Sequence, residues 1–598
     1  MSGLLAVYSE LDSLPLREAL KLILHRGRDD AGAWQSPDKR VWLGATRMAT
    51  TDLSQSGRLP LKNEDGNIWV VADGAVTNYN SMRRRLELKG HRFASANDSE
   101  VIVHAYEMWS EACLDYLEGS FSFVLWDNKI KQLIVSRDRT GVKPIYYTEY
   151  EGGLFVSSEI GPLLRVLPEI PDPNPLAAAY MMTLGYIPSP HSIWRNIYKL
   201  EPGQMLGWSL KSGLRLRRYW EPPRILLKRN RPEQLNEVLT EVVNRTLMAD
   251  VPVNFLMPDG IDGAALAFAL SDLGQTPETL TITGLNGTGL GDNSASTLAA
   301  ELDFPHNSES ISAQRTEADL RNALSLFNEP CAHSQLIRMM ELGAHSARMG
   351  QLMISYQGAD PLFYGSHWYH NRTRSGNFLS RFQRGLLGEN RFLKSSPIAA
   401  HLWGIHNRFL PSEAAELIAP SRILFDAEIM QRPLMRYYVD KLPAQRNLQR
   451  IDLMSYFADC FFPMVSQAAI VNSVELRLPF ADRRMVEWGL ALLENRSESN
   501  VPKYFLQEYL NRTGKNIPKS NIVSDDEGFT ELPLDLSLEQ MLSAIENSYW
   551  VEEGYWAPEW RSIAERKTAN TQARIWNLYI LSLWADIWFK ERPWLDSS

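Results

Sequence analysis

Residues 251–273 read VPVNFLMPDGIDGAALAFALSDL, and residues 279–283 read TLTIT. The apolar run at 253–257 is short and bounded by turn residues, which predicts a buried strand. A Gly-containing turn follows, then a helix predicted over 263–273 and a second strand over 279–283. Helices predicted at 232–248 and 293–302 flank this pair. A strand–helix alternation of this kind predicts a parallel sheet, with a ligand site at the strand C-termini. A further strand is predicted at 351–356, running into Gln357-Gly358-Ala359-Asp360.

The first 200 residues have a different pattern. Short strands are predicted at 3–8, 68–73, 121–126, 132–136, 144–148 and 154–157, with helices at 16–24, 80–88 and 99–109. Strands with packed helices predict sandwiched layers rather than a barrel. Residues 221–232, EPPRILLKRNRP, lack periodicity and read as a solvated basic connector. The expected organisation is a first domain at 1–208, a linker at 209–232 and a second domain at 233–598, helical towards its end. Seven tryptophans from Trp550 to Trp594 read as packing residues.

The composition removes several classes of function. The 598 residues are 44% apolar and 22% charged, which are globular values. A formal charge of −9 argues against a nucleic-acid binder held by general electrostatics. No apolar run has the length of a membrane span, and Glu10 and Asp12 are unlike a secretory leader. Three cysteines, Cys113, Cys331 and Cys460, exclude a disulfide scaffold and a cysteine zinc site. They suit a cytoplasmic protein.

Several strings then occur in a telling order. They include His25-Arg26-Gly27, Arg47, Asp73-Gly74-Ala75, Asp98-Ser99-Glu100-Val101, Leu117-Glu118-Gly119-Ser120-Phe121 and Arg137-Asp138-Arg139-Thr140-Gly141. Gly260-Ile261-Asp262, Gly358-Ala359-Asp360 and Val474-Glu475-Leu476-Arg477-Leu478-Pro479-Phe480 follow. Together they resemble the glutamine-dependent asparagine synthetase family, from residue 1 to about residue 590. The resemblance implies an N-terminal-nucleophile αββα sandwich joined to an α/β ATP-pyrophosphatase domain. In that family one centre frees ammonia from glutamine. The other adenylates a carboxylate with ATP and Mg²⁺ and lets ammonia displace AMP.

The resemblance also exposes substitutions at both centres. The family's nucleophilic cysteine position is Ser2, and its oxyanion Asn-Gly pair is Asp73-Gly74. An ionised Asp73 would face a developing anion, although a buried, protonated Asp73 could still donate a hydrogen bond. The next family glutamate is Ala75. Arg47 and Asp98 match the positions that hold glutamine. In the phosphate loop Pro258 has no N–H, Asp259 places a carboxylate beside phosphate, and Gly263 and Ala264 lack hydroxyls. Gly260, Asp262, Gly358 and Asp360 are retained, Asp262 and Asp360 matching the Mg²⁺ ligands. Lys503 matches a lysine that stabilises leaving pyrophosphate. Gln357 replaces the catalytic glutamate and Pro361 another acid. Ser524-Asp525-Asp526-Glu527-Gly528-Phe529 replaces a basic phosphate-binding loop.

The expected function is therefore that of a non-catalytic relative, acting as partner or regulator of an amide-forming system; the expected partner is an intact paralogue or another protein of that pathway, and the expected assembly a homo- or heterodimer. The alternative is a divergent ATP-dependent amide-forming ligase, similar to β-lactam synthetases and lasso-peptide cyclases, which keeps ATP and Mg²⁺ and uses another amine. Ordinary asparagine synthesis ranks third. His25 is expected to be a buried, hydrogen-bonded structural residue. His367 and His370 are expected to be a surface pair rather than metal ligands.

Overall fold

The computed structural model describes residues 2–224, 234–258, 260–283, 294–310, 316–333, 335–365, 408–419, 421–423, 427–440, 442–492, 503–512, 536–566 and 571–595. Asp259, His367, His370, residues 524–529 and most of the connector read at 221–232 lie outside them.

The first domain holds twelve strands: β1 (Ser2–Tyr8), β2 (Asp30–Gln35), β3 (Val41–Arg47), β4 (Leu61–Lys62), β5 (Ile68–Val76), β6 (Gly119–Asp127), β7 (Gln132–Arg137), β8 (Tyr146–Tyr150), β9 (Gly153–Ser157), β10 (Tyr198–Lys199), β11 (Gln204–Ser209) and β12 (Gly213–Arg218). They form two antiparallel sheets, ordered β10-β8-β9-β1-β3-β2 and β12-β11-β7-β6-β5-β4. Strand β1 shows why this is a sandwich. All seven of its residues are buried, because both faces are covered. Leu4, Ala6 and Tyr8 enter the core shared with the second sheet, while Leu5 and Val7 enter the core under the helices. That alternation is the two-residue period of a strand. Helices α1 (Leu16–Lys21), α2 (Tyr79–Glu87) and α3 (Glu100–Trp109) supply outer layers. The predicted αββα arrangement is observed.

The second domain carries a parallel sheet of β13 (Asn254–Leu256), β14 (Thr279–Thr283), β15 (His306–Ser310), β16 (Leu352–Ser355) and β17 (Glu475–Arg477), ordered β15-β14-β13-β16-β17. Helix α4 (Ile261–Asp272) is buried at every position through Leu270, as expected of a helix apolar all round. The chain leaves β13 in one direction and returns to its other side as β16. The crevice between their C-terminal ends is thus the switch point where open α/β sheets bind ligands. At the C-terminal end, helix α5 (Thr571–Ala585) is buried, and the indoles pack as expected. Trp576, Trp584 and Trp588 donate to the carbonyls of Ala332, Phe327 and Leu324 at 3.2, 3.0 and 3.1 Å.

Two readings change. Residues 213–218 fall in the stretch read as linker, yet they form edge strand β12, paired with β11 along its whole length. Arg215 and Arg217 alternate with Leu214 and Leu216 there, and charges on an edge strand look like linker composition. Nor is the start of the connector wholly solvated. Arg450 donates to the Pro222 and Pro223 carbonyls at 2.6 and 2.7 Å.

Candidate functional site

Ser2 opens β1 and lies opposite Arg47 on β3, while Asp73 and Gly74 lie on β5 opposite Ser122 and Phe121 of β6. The two inner sheets therefore bring Ser2 and Asp73 together. The Ser2 N–H donates to Asp73 Oδ1 at 2.9 Å, and Arg26 Nη2 donates to Asp73 Oδ2 at 2.6 Å. Asp73 is fully buried, and both of its oxygens accept. Gly74 has φ +103°, and a Cβ there would meet the Ser120 carbonyl at 2.1 Å, so only glycine fits.

Arg26 is the residue that sequence reasoning passed over. Its guanidinium also donates to Glu159 Oε1 at 3.0 Å and to Gln467 Oε1 of the second domain at 2.9 Å. Burial works against its charge, but Asp73 and Glu159 outweigh burial and hold Arg26 above its ordinary range. Burial would likewise raise Glu159. His25, Arg26 and Gln467 reverse this and bring its carboxyl down to about 2. His25 contacts Glu159 at 2.8 Å, as a structural histidine should, but it is only partly buried. The available signal for Arg26 was a buried Asp73 in need of a counter-charge.

The two residues matching glutamine ligands face the chain itself. Arg47 donates to the carbonyls of Ser54 at 3.2 Å and Thr51 at 2.9 Å, and also to that of Asp52. Asp98 accepts from Thr51 Oγ1 and from the Val76 N–H, both at 2.7 Å. Burial pushes the Asp98 carboxyl up against these bonds.

The switch-point crevice gathers the other set. Asp262 lies in the first turn of α4 after β13, and Asp360 follows β16. Lys503 reaches both: its ammonium lies 2.5 Å from Asp262 Oδ2 and 2.8 Å from Asp360 Oδ1. One buried ammonium serves two carboxylates. Burial and then Asp360 push the Asp262 carboxyl up to about 6 against the pull of Lys503, while the pair keeps Lys503 above its ordinary range. Gly260 at φ +126° turns the chain into α4, and Gly358 at φ +101° into the short helix Ala359–Phe363. A Cβ on Gly263 would lie 2.6 Å from Pro258 Cδ and 2.8 Å from its carbonyl oxygen. The pyrrolidine ring thus fills the space that a side chain at 263 would need. Gln357 is buried, its Oε1 accepts from Ser355 Oγ, and its Nε2 has no hydrogen-bond partner.

Two antiparallel sheets joined to a parallel sheet with aspartates at its switch point define a class: a glutamine-amidotransferase-like domain fused to an ATP-pyrophosphatase-like one. Residues 1–220 match the glutamine amidotransferase domain family and residues 234–586 the asparagine synthase family. The chain belongs to the asparagine synthase family. It is 23% identical over 516 residues to glutamine-hydrolyzing asparagine synthetase 1 of Bacillus subtilis, covering 82% of this chain and 80% of that protein. It is 26% identical over 461 residues to putative asparagine synthetase 2 of Methanocaldococcus jannaschii, covering 73% and 88%. Amidase chry2 of Gibberella zeae is 32% identical over 267 residues, 43% of this chain and 39% of that one. Among solved structures, glutamine phosphoribosylpyrophosphate amidotransferase from B. subtilis aligns with TM-score 0.28 and 13% identity over 52% of this chain and 81% of that one. Among the described residues no helix is long and apolar enough to cross a membrane.

Proposed function

We propose that this chain is a non-catalytic member of its family, acting as a partner or regulator of an amide-forming system. The observation that carries the reading is Asp73: fully buried, with Arg26 on one oxygen and the Ser2 N–H on the other. An oxyanion needs a donor at this position. Losing one such donor costs about 10²–10³ in kcat. If Met1 were removed, the Ser2 amine would sit against the same carboxylate. That contact favours the ammonium, and an ammonium is no general base.

The second centre supports the same reading. Mg²⁺ demands near-octahedral oxygen ligands and keeps several waters. The residues present fit it poorly on a triphosphate: Pro258 supplies no N–H, and Gln357 brings no carboxylate beside Asp262 and Asp360. The folding strings are intact, so the chain keeps the shape of its family. Such a shape suits pairing with an intact paralogue, as a heterodimer, or with a second copy of itself.

The test is direct. Pure full-length protein is expected to release no ammonia from glutamine and to catalyse no ATP–pyrophosphate exchange, while affinity purification from its native cell recovers an amide synthetase. Both activities together in the pure chain would refute the proposal.

One observation favours a second reading, a divergent ATP-dependent ligase that uses another amine: Asp262 and Asp360 still converge on one cationic group. Calorimetric binding of Mg²⁺–ATP would support it, and heat-silent titration at millimolar nucleotide would remove it.

A further inference from the structure

Four side chains of the first domain meet beside α3. Glu64 lies in the turn between β4 and β5, His91 follows α2, and His104 and Glu107 stand one turn apart on α3. One ligand atom from each lies within 4.8 Å of every other. Three contacts in the cluster are already short, through both oxygens of Glu64: His104 Nδ1 to Glu64 Oε2 at 3.2 Å, His91 Nδ1 to Glu64 Oε1 at 3.6 Å, and His91 Nδ1 to Glu107 Oε2 at 3.8 Å. A tetrahedral zinc ion with bonds of about 2.0–2.2 Å holds its ligand atoms roughly 3.3–3.6 Å apart. Small side-chain rotations close the remaining gaps.

His104 supplies the independent observation. It is fully buried, and its two ring nitrogens lie between the Glu64 and Glu100 carboxylates at 3.2 and 3.5 Å, neither in good hydrogen-bond geometry. Its Nδ1 points into the cluster, and its Nε2 faces Glu100 Oε1 at 3.5 Å on the far side. That is the order carboxylate–imidazole–metal, in which the outer carboxylate fixes the tautomer and raises ligand basicity. Glu100 is itself held, accepting from the Ala94 and Ser95 N–H groups at 2.6 and 2.7 Å. The outer two ligands are oriented as well. Glu64 accepts from the Arg92 N–H at 2.7 Å, and Glu107 from Asn63 Nδ2 at 3.0 Å. Glu64 and Glu107 are exposed, so an ion has a route in.

We propose that Glu64, His91, His104 and Glu107 form a zinc site. Two neutral imidazoles and two carboxylates match the charge of a divalent ion, and imidazole selects zinc over magnesium or calcium. The ion ties the β4–β5 turn to α3, and so fixes the outer helical layer to the sheet that carries Asp73.

Full-length protein without a polyhistidine tag, stripped with EDTA and dialysed against micromolar zinc, is expected to retain one zinc per chain by elemental analysis. Zinc should raise the melting temperature, and cobalt in its place should give the visible absorption of a tetrahedral site. Glu64→Gln/Glu107→Gln changes only exposed carboxylates, so the variant is expected to melt like the metal-free wild type and to lose both zinc and cobalt signals. Glu100→Gln should weaken zinc binding by about 10–100-fold. Wild type that retains no zinc, or a double variant that retains as much as wild type, overturns the site.

Discussion

At the residue scale, a buried acid and a buried base depend on each other. Asp73 and Arg26 form a buried pair, and removing one member of such a pair costs about 3–5 kcal/mol. Asp73→Asn should fall at the low end, because Glu159 still pairs with Arg26; urea unfolding measures it. Ser2→Cys alone should yield no ammonia from glutamine, since Asp73 remains beside the new thiol. Glu159 gives a pH signature. Its folded carboxyl is depressed to about 2 from an ordinary value of 4.5. The stability it confers is thus fully present above about pH 4.5 and is lost as pH falls towards 2. In Glu159→Gln the acid limb of a stability–pH curve should flatten across that window. In the crevice, Lys503→Ala leaves Asp262 and Asp360 facing each other. The variant should gain a Mg²⁺-dependent rise in melting temperature that the wild type lacks. The residues at these centres were legible through the family resemblance. Their contacts were not: Arg26 is 47 positions from Asp73, and no local pattern encodes that meeting.

At the element scale, legibility followed the strength of the period. Strand β1 and helix α4 stand out because their apolar runs are unbroken. Strand β2, DAGAWQ, is small and half exposed, so it lacks both the alternation and the β-branched residues that mark a strand. Strand β12 was hidden by its arginines. The loop into α4 couples two residues: Pro258 fills the space above Gly263. Gly263→Ser should therefore destabilise the chain by about 1–3 kcal/mol through overpacking. Pro258→Ser in the same chain should recover part of that loss, which thermal unfolding of the single and double variants would read. Equal melting temperatures for Gly263→Ser and wild type would contradict the packing account.

At the scale of the whole molecule, buried polar contacts join the two domains. Arg137 of β7 donates to the Leu200 and Gly141 carbonyls, both at 2.8 Å, and crosses to the Ala458 carbonyl at 2.6 Å and Asp459 Oδ1 at 3.2 Å. Arg137→Met leaves those acceptors unpaired. Calorimetry should show lost stability and one unfolding transition splitting into two. Arg26 crosses the same junction through Gln467. Its position makes single substitutions costly. An asparagine at 73 gives up a contact on which the folded state relies, and a hydroxyl-bearing side chain at 263 collides with a ring. Each such change costs stability until a second one accommodates it. Both sites therefore tolerate change in pairs more readily than one residue at a time.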